Sequence, residues 1–427
     1  MSTHYKNAES CRVCGSSELT EVISFAPQFL SPTFVTSNEG NPLSLIKVPL
    51  TVVICDRGKN PEGCGLVQLR ETTDHDLLYK DYFYRSSTND TMRRDLKNVV
   101  DDVVEKVKPM KGDIVVDIGA NDATMLSYFP PELERIGVEP ATNISWDGID
   151  PTLTMVNDYF SKKALDGALS GKKVKILTSC AMFYDLDDPN AFVADAASLL
   201  SDDGTWCIQL SYIVPMLENM NFYDICHEHL EYYGLETLDT LMRRHGLMIY
   251  DAQVNAVNGG SARVFITHTA RKLQQTEDLK KLLEREKEFD LYNPGTFRAF
   301  DQKIKMLGEL VRGYIEAEIK EGKLVIGLGA STKGNVLLQL YGLDKTILPY
   351  ISEISKGKIG KKTLGSDIEL ISDEQALKLR PSTKLVLPWY FKQEIVKREK
   401  PYLDQGGKLL FPMPYAHIVT KDGEERL

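Results

Sequence analysis

The stretch VVDIGANDATML, residues 115–126, constrains the fold of this chain more than any other part of the sequence. An apolar run ends in Asp117 and is followed by a turn at Gly119. Roughly 20 residues further on, a second strand-like run carries Glu139. This order is typical of a nucleotide-binding β-α-β unit, in which glycine lets the backbone approach a ligand and the carboxylate binds ribose hydroxyls.

The turn lacks the dinucleotide fingerprint Gly-x-Gly-x-x-Gly, because Asn121 and Thr124 stand where glycines would be needed. With an acidic residue before the turn and no cradle for a pyrophosphate, the sequence favours S-adenosylmethionine (SAM) over NAD. An α/β turn without a ligand is the alternative interpretation.

The pattern around this unit predicts a doubly wound parallel sheet. Strands are expected at residues 114–118, 135–139, 174–178, 204–210 and 261–267, with helices between them. Ligands bind at the carboxyl ends of the strands in such sheets. We therefore expect one crevice to be lined by residues 117–119, Glu139, Cys180 and residues 209–211.

The composition is that of a globular protein of two or three domains, with 427 residues of which 42% are hydrophobic. A net charge of −10 argues against a nucleic-acid or anionic-membrane surface. A polar amino terminus and short apolar runs predict neither a signal peptide nor a membrane span. A cytoplasmic protein is the expectation, and its seven cysteines are then thiols or metal ligands.

Two cysteine pairs in the first 75 residues predict a structural zinc site. Cys11 and Cys14 have the spacing of a zinc knuckle, whereas Cys55 and Cys64 are unusually far apart. Four thiolates can close a tetrahedral site and leave no coordination position open for catalysis. Unligated thiols are the alternative interpretation.

The sequence FYDICHEHLEYY contains the strongest candidates for proton transfer. His227, Glu228 and His229 are consecutive, so the spacing is not that of a His-Glu-x-x-His zinc hydrolase. Neutral imidazoles suit proton abstraction near pH 7, and a carboxylate can fix their tautomer. The alternative is a cluster that only hydrogen-bonds the backbone.

Further along, charged helical segments precede a second α/β unit, LVIGLGASTKGNVLLQL. Its strand, glycine turn and polar Ser331, Thr332 and Lys333 predict a helix amino terminus that binds an anion. The predicted domains are therefore residues 1–75 (zinc-binding), 76–270 (SAM-binding) and 271–427 (a second Rossmann-like unit). An aromatic cluster near residues 79–84 is either an interdomain core or a lid over a pocket.

Taken in order, these pieces resemble SAM-dependent C-methyltransferases that act on nucleotide-linked 4-keto-6-deoxy sugars. The resemblance covers nearly the whole chain and depends on the order of the motifs CRVCG, CGLVQL, DIGANDATML, VEPA, HEHLEYY, NGGSAR, GASTKGN and LPWYF. It implies a zinc-binding domain, a class I methyltransferase domain with a Rossmann-like sheet and a second Rossmann-like domain. It also implies a keto-sugar substrate, and we expect a monomer or homodimer.

The resemblance implies a role for each matching residue. His229 would be the base that forms an enolate, with Glu228, His227 and Tyr84 beside it. SAM would contact Asp117, Gly119, Asn121, Asp122 and Glu139, with Gln209 in the same crevice. Substrate-binding candidates are Tyr82, Tyr223, Asn258, Ser331, Lys333 and Lys408, and the zinc ligands are Cys11, Cys14, Cys55 and Cys64.

Several departures from the family pattern cluster around the substrate. Cys226 stands where the family has a tyrosine, Asn258 replaces a histidine, and CAMFYDL replaces Asn-Val-Leu-Ala-His. The first of these departures keeps a second function open, O- or N-methylation of a sugar or similar small molecule, which needs no donor for an enolate. A SAM-binding scaffold without activity is a third alternative.

Overall fold

The computed structural model describes residues 4–79, 85–88 and 90–427. Its amino-terminal part is mostly β-structure. The elements are β1 (Tyr5–Asn7), β2 (Leu19–Phe29), β3 (Phe34–Val35), β4 (Lys47–Cys55), β5 (Val67–Leu69), β6 (Glu71–Thr73) and α1 (His75–Tyr79). β2, β4 and β5 form an antiparallel meander. The four cysteines predicted to bind zinc lie in the turn before β2, at the end of β4 and in the loop before β5.

The middle part is an α/β layer structure. Its helices are α2 (Asp90–Val107), α3 (Lys162–Leu169), α4 (Pro189–Leu199), α5 (Ile213–Glu218) and α6 (Leu235–Arg244). Its strands are β7 (Ile114–Ile118), β8 (Glu134–Val138), β9 (Leu153–Val156), β10 (Val174–Cys180), β11 (Leu200–Ser211), β12 (Glu231–Tyr232), β13 (Leu247–Asn255) and β14 (Ser261–His268). Helix α2 packs on the sheet through Leu96, Val99, Val100 and Val103, whose spacing places them on one helical face.

The middle sheet has the order β13-β14-β11-β10-β7-β8-β9. The five predicted strands are present, but the expectation that all are parallel is wrong for the last. β14 runs antiparallel to both of its neighbours, β11 and β13. A sequence pattern fixes the face on which side chains lie and leaves strand direction open, because direction depends on the connection from β13.

The carboxyl-terminal part repeats the β-α-β arrangement. Its helices are α7 (Glu277–Glu288), α8 (Pro294–Lys320), α9 (Thr332–Leu340), α10 (Asp373–Leu379), α11 (Lys392–Arg398) and α12 (Lys400–Asp404). Its strands are β15 (Val325–Leu328), β16 (Tyr350–Glu353), β17 (Lys362–Thr363), β18 (Glu369–Ser372), β19 (Thr383–Val386), β20 (Lys408–Phe411), β21 (His417–Thr420) and β22 (Gly423–Arg426). Parallel strands β20, β19, β15, β16 and β18 form the centre of the sheet.

Two short strands connect the three parts. β3 of the amino-terminal part pairs with β17 of the carboxyl-terminal sheet. β12, two residues after His229, pairs with β5 beside the cysteines. The loop that carries the His-Glu-His sequence is thus fixed by backbone hydrogen bonds to the amino-terminal sheet. Among the helices that the structure describes, none is long and apolar enough to cross a membrane.

Candidate active site

A cavity of about 320 Å³ lies at the carboxyl ends of the middle strands, as the topology of the sheet predicts. Its walls include Gly119, Asn121, Glu139, Cys180, Gln209 and Ser211. The sequence therefore identified the correct edge of the sheet, and most of the residues predicted to face the crevice do so.

Glu139 holds the glycine turn in place. Its Oε2 accepts a hydrogen bond from the Asn121 amide at 2.8 Å, and its Oε1 accepts one from the Ala141 amide at 2.9 Å. Gly119 has a φ of +75° and donates its N–H to the Val138 carbonyl. A carboxylate offers about four lone pairs, so Glu139 keeps capacity for the hydroxyls of a bound ribose. The turn and its cavity fit SAM.

Three of the predicted SAM contacts have other partners. Asp117 is buried, and its Oδ1 accepts a hydrogen bond from Thr178 at 2.8 Å, while burial raises its pKa to about 7. Asp122 accepts from the Ser87 amide at 2.9 Å. Gln209 lines the cavity, but its oxygen accepts from Arg263 and its Nε2 donates to Asp95.

The second cavity, of about 520 Å³, extends from the middle part to the carboxyl-terminal part. Both cavities are lined by Met92, Ala181, Tyr184, Asp185 and Asn258. They therefore adjoin, and a ligand in one would lie beside a ligand in the other. The second cavity is also lined by Cys226, Glu228, His229, Ser331, Lys333, Glu353, Lys358, Tyr390 and Arg398.

His229 is the histidine of the pair that faces this cavity. Its ring packs on Tyr184, with 4.2 Å between ring centroids. Burial, together with the charge of Lys333, lowers the pKa of His229 well below its ordinary value, although a hydrogen bond with the Asp224 backbone acts in the opposite direction. The imidazole is therefore neutral at pH 7, with one ring nitrogen unprotonated, and the same burial makes it a weaker base than a free histidine.

His227 faces the amino-terminal part instead. Its Nδ1 lies 3.2 Å from the Ser31 hydroxyl, and its Nε2 lies 3.3 Å from the Val48 carbonyl oxygen. Burial lowers the pKa of His227 to about 4. Because both ring nitrogens have partners away from the cavity, this geometry favours a structural role over the predicted catalytic one.

Burial also shifts the pKa values of Glu228 and Cys226, which precede His229 in the same loop. Burial raises the pKa of Glu228 to about 7, against the opposing charge of Lys333. Burial also raises the pKa of the Cys226 thiol well above its ordinary value.

Tyr223, a predicted substrate contact, is fully buried, and its hydroxyl lies 3.5 Å from the Leu387 carbonyl oxygen. This contact places Tyr223 between domains rather than in the cavity.

The glycine turn of the carboxyl-terminal part contributes Ser331 and Lys333 to the second cavity. Ser331 caps α9 by accepting a hydrogen bond from the Gly334 amide at 3.0 Å. Lys333 forms an ion pair with buried Asp224 of the histidine loop. Although burial by itself lowers the pKa of Lys333, the attraction of Asp224 and Tyr390 raises it overall. The ammonium group stays charged.

The prediction that Lys408 binds substrate here is wrong. Lys408 begins β20, which is parallel to β19 and β15, so it lies at the amino ends of these strands. The turn at Gly329 follows the carboxyl end of β15, at the opposite edge. The Lys408 ammonium group lies 3.1 Å from Glu318. Asn258, a predicted substrate contact, lines both cavities, and Tyr82 and Tyr84 lie outside the described residues.

The four predicted metal ligands converge. Cys11 and Cys64 have their sulfurs 3.4 Å apart, those of Cys14 and Cys55 are 3.6 Å apart, and all four lie within 4.8 Å of one another. A tetrahedral zinc with bonds near 2.3 Å needs sulfurs about 3.8 Å apart. The cluster fits a structural Zn²⁺, held by these four cysteines between β2, β4 and the loop before β5.

Sequence reasoning missed several residues of the second cavity. Tyr184 and Asp185 lie in the loop after β10, where the rule of carboxyl strand ends would have found them. No sequence pattern indicated Asp224 as a site residue, because only the folded chain places it beside Lys333. Tyr390 and Arg398 follow β19; Tyr390 belongs to the LPWYF motif, which supported the resemblance but gave this residue no role, and Arg398 stood in no motif.

Three family models match successive parts of the chain. Residues 11–79 match a zinc binding domain, residues 91–252 match a methyltransferase domain, and residues 256–414 match a C-methyltransferase C-terminal domain. The chain is 29% identical to the C-methyltransferase NovU of Streptomyces niveus, over 97% of both chains.

Solved structures similar to this chain cover part of it. A SAM-dependent methyltransferase from Clostridium acetobutylicum is 12% identical, covering 43% of this chain and 93% of its own, with a TM-score of 0.33. The 1,6-didemethyltoxoflavin-N1-methyltransferase of Burkholderia thailandensis, with bound S-adenosylhomocysteine, is 14% identical and covers 42% of this chain and 79% of its own, with a TM-score of 0.34.

The middle sheet, its glycine turn and the matched methyltransferase domain define a class I SAM-dependent methyltransferase. The flanking matches give a more particular similarity. The chain is similar to C-methyltransferases, with a zinc binding domain matched before the methyltransferase domain and a C-methyltransferase C-terminal domain matched after it.

Proposed function

We propose that this chain transfers the methyl group of SAM to C3 of a nucleotide-linked 4-keto-6-deoxy sugar. One observation carries the proposal: His229 lines a cavity that adjoins the SAM cavity on one side and contains the anion-binding turn at Ser331 on the other. A sugar between the two would place its reacting carbon near both the base and the methyl group.

In this proposal His229 accepts the C3 proton. A keto group at C4 makes that proton weakly acidic, so a neutral base held in place is sufficient near pH 7. The electron pair of the broken C–H bond moves to the C4 oxygen as an enolate. Bound SAM supplies an activated methyl group, whose bond to sulfur breaks as the new bond to C3 forms and the ketone returns.

In this proposal the Lys333 ammonium group in the second cavity stabilises the negative charge of the enolate. Lys333 keeps its charge through Asp224 and lies on the wall that Cys226, Glu228 and His229 share. A fixed positive charge in a buried site stabilises a developing oxyanion more strongly than water does. Cys226, with its thiol pKa raised by burial, is a poor substitute for the tyrosine of the related enzymes.

Tyr184 is proposed to orient the base. Its ring packs on that of His229, and its carbonyl oxygen accepts hydrogen bonds from Leu230 and Glu231, at the start of β12. The loop after β10 and the histidine loop are thereby fixed to each other. Displacement of a reacting atom by about 1 Å can lower a reaction rate about 100-fold. The contact with Tyr184 therefore affects the rate of proton transfer through the position of the His229 ring.

The test is incubation of the full-length protein with SAM and a panel of TDP-, GDP- and CDP-linked 4-keto-6-deoxy sugars in D2O. We expect a product with a methyl group on carbon, read by mass spectrometry and NMR. With S-adenosylhomocysteine in place of SAM, we expect exchange of the C3 proton for deuterium. His229→Ala should abolish both.

The second candidate, O- or N-methylation, is favoured by Cys226, since that reaction needs no enolate donor. It predicts a methyl group on oxygen or nitrogen and no deuterium at C3. That result would overturn the proposal.

A further inference from the structure

We propose that Glu353 accepts a hydrogen bond from a pentose hydroxyl of the substrate's nucleoside, in a site that the carboxyl-terminal domain builds as the middle domain builds its SAM site. This inference rests on the proposed function for the identity of the ligand, a nucleoside diphosphate joined to the reacting sugar. It assigns the nucleoside to the end of the second cavity that lies beyond the anion-binding turn at Ser331.

The first observation is a repeated hydrogen-bond pattern. In the middle domain Gly119 donates to the carbonyl of Val138, and the Asn121 amide donates to Glu139 Oε2 at 2.8 Å. In the carboxyl-terminal domain Gly329 donates to the carbonyl of Ser352 at 2.8 Å. There the Ala330 amide donates to Glu353 Oε2 at 2.9 Å.

The other carboxylate oxygen repeats as well. Glu139 Oε1 accepts from the Ala141 amide, two residues later, at 2.9 Å. Glu353 Oε1 accepts from the amides of Ile354 and Ser355, both at 2.8 Å. Glu139 directly follows β8 and Glu353 is the last residue of β16. Both are 5 or 6% exposed, and each connects the glycine turn after the first strand of its unit to the end of the second strand.

The second observation is that both glutamates line cavities. Glu139 lies on the wall of the SAM cavity and Glu353 on the wall of the second cavity. An acidic residue at this position of a nucleotide-binding β-α-β unit accepts hydrogen bonds from sugar hydroxyls. The same position in the carboxyl-terminal domain therefore specifies a ligand with a pentose.

The third observation is the charge around Glu353. The second cavity is lined by Lys333, Lys358 and Arg398. The Lys358 ammonium group donates to the Ala330 carbonyl at 2.8 Å, on the glycine turn itself. The α9 amino terminus adds partial positive charge at Ser331. In this proposal the diphosphate lies between Lys358, Arg398 and the α9 amino terminus, with its pentose toward Glu353 and its sugar toward His229 and Lys333.

The glutamate could instead serve only to hold the turn. A substitution that disturbs the turn would then weaken every ligand equally, whereas loss of a hydroxyl contact weakens only ligands that carry the hydroxyl. The experiment therefore changes the protein and the ligand together.

Isothermal titration is carried out on the full-length, zinc-loaded protein with TDP, GDP and CDP, the nucleotides of the proposed substrates, and with the 2′,3′-dideoxy form of each. For the wild type we expect the dideoxy form to bind at least about ten-fold more weakly, as is usual for a hydrogen bond to a charged group. For Glu353→Gln and Glu353→Ala we expect the two forms to bind with nearly equal affinity. Equal weakening of both forms by the substitutions, with the wild-type preference retained, would overturn the inference.

Glu139→Gln is the matched control. It should weaken binding of S-adenosylhomocysteine and leave intact the preference for a nucleoside diphosphate over its dideoxy form, while Glu353→Gln should do the reverse. Failure of the wild type to bind any of TDP, GDP and CDP would also overturn the inference. Binding with the hydroxyl preference but no methylation of any keto sugar would instead overturn the proposed function and leave this site standing.

Discussion

Lys333 of the carboxyl-terminal domain and Asp224 of the histidine loop form an ion pair in which the two side chains are 16% and 2% exposed. Asp224 also accepts a hydrogen bond from Asn221 at 2.7 Å. His229 shares a hydrogen bond with the Asp224 backbone. The pair thus joins the domain that carries the anion-binding turn to the loop that carries the proposed base.

Breaking this ion pair should destabilise the protein. Lys333→Met leaves a buried carboxylate without its cation, which costs about 3–5 kcal/mol. Adding Asp224→Asn removes the unpaired charge, so the double variant should melt at a higher temperature than Lys333→Met alone. Thermal unfolding of both variants checks this, and a double variant no more stable than the single one would show that the pair is not coupled.

Replacement of His229 should separate chemistry from cofactor binding. We expect His229→Ala to lower methyl transfer at least about 100-fold, the usual contribution of a general base. Affinity for SAM should stay within a few-fold, because the ring lies in the second cavity. A large loss of SAM binding would contradict the role assigned to His229.

His227→Asn is the matched control for that substitution. Because His227 contacts Ser31 and Val48, we expect a lower melting temperature with turnover largely retained below that temperature. If His227→Asn lost turnover as completely as His229→Ala while remaining folded, the assignment of the base between the two histidines would be wrong.

Glu139→Ala should weaken SAM rather than the chemical step. The substitution removes the acceptor for two turn amides and for the ribose hydroxyls. We expect the dissociation constant for SAM to rise about ten-fold or more, with turnover at saturating SAM less affected. Titration calorimetry and initial rates measure the two quantities, and unchanged SAM affinity would refute the ribose assignment.

Removal of zinc should destabilise the amino-terminal sheet that holds the histidine loop. Cys11→Ser leaves three ligands, so metal content and melting temperature should both fall. Because β12 pairs with β5 beside the cluster, turnover should decline in parallel with metal content. Metal analysis, melting curves and rates across a chelator titration test this, and full turnover without zinc would contradict it.

Acidification should destabilise the fold through the two buried histidines. Burial holds the folded pKa of His227 at about 4 and that of His229 well below its ordinary value, while the unfolded chain titrates near 6.5. Below that pH the unfolded state binds more protons, so stability is complete above about 6.5 and falls as pH decreases toward 4. The melting temperature should follow this, less steeply in His227→Asn.

The sequence by itself determined the local units. Strand, glycine turn and acidic strand end predict the SAM cavity around Gly119 and Glu139, and paired cysteines predict the metal cluster. These signals are local, because backbone conformation and ligand spacing are set within a few residues.

Only the tertiary structure decided which groups meet. Strand connections determine the direction of β14, the different surroundings of His227 and His229, and the position of Lys408 at the opposite sheet edge. The periodicity of a sequence does not predict these connections. Lys333 and Asp224 are more than 100 residues apart in the chain, and burial in a common core makes their attraction strong. Contacts between domains depend on how packed surfaces fit, and short sequence motifs carry no record of that fit.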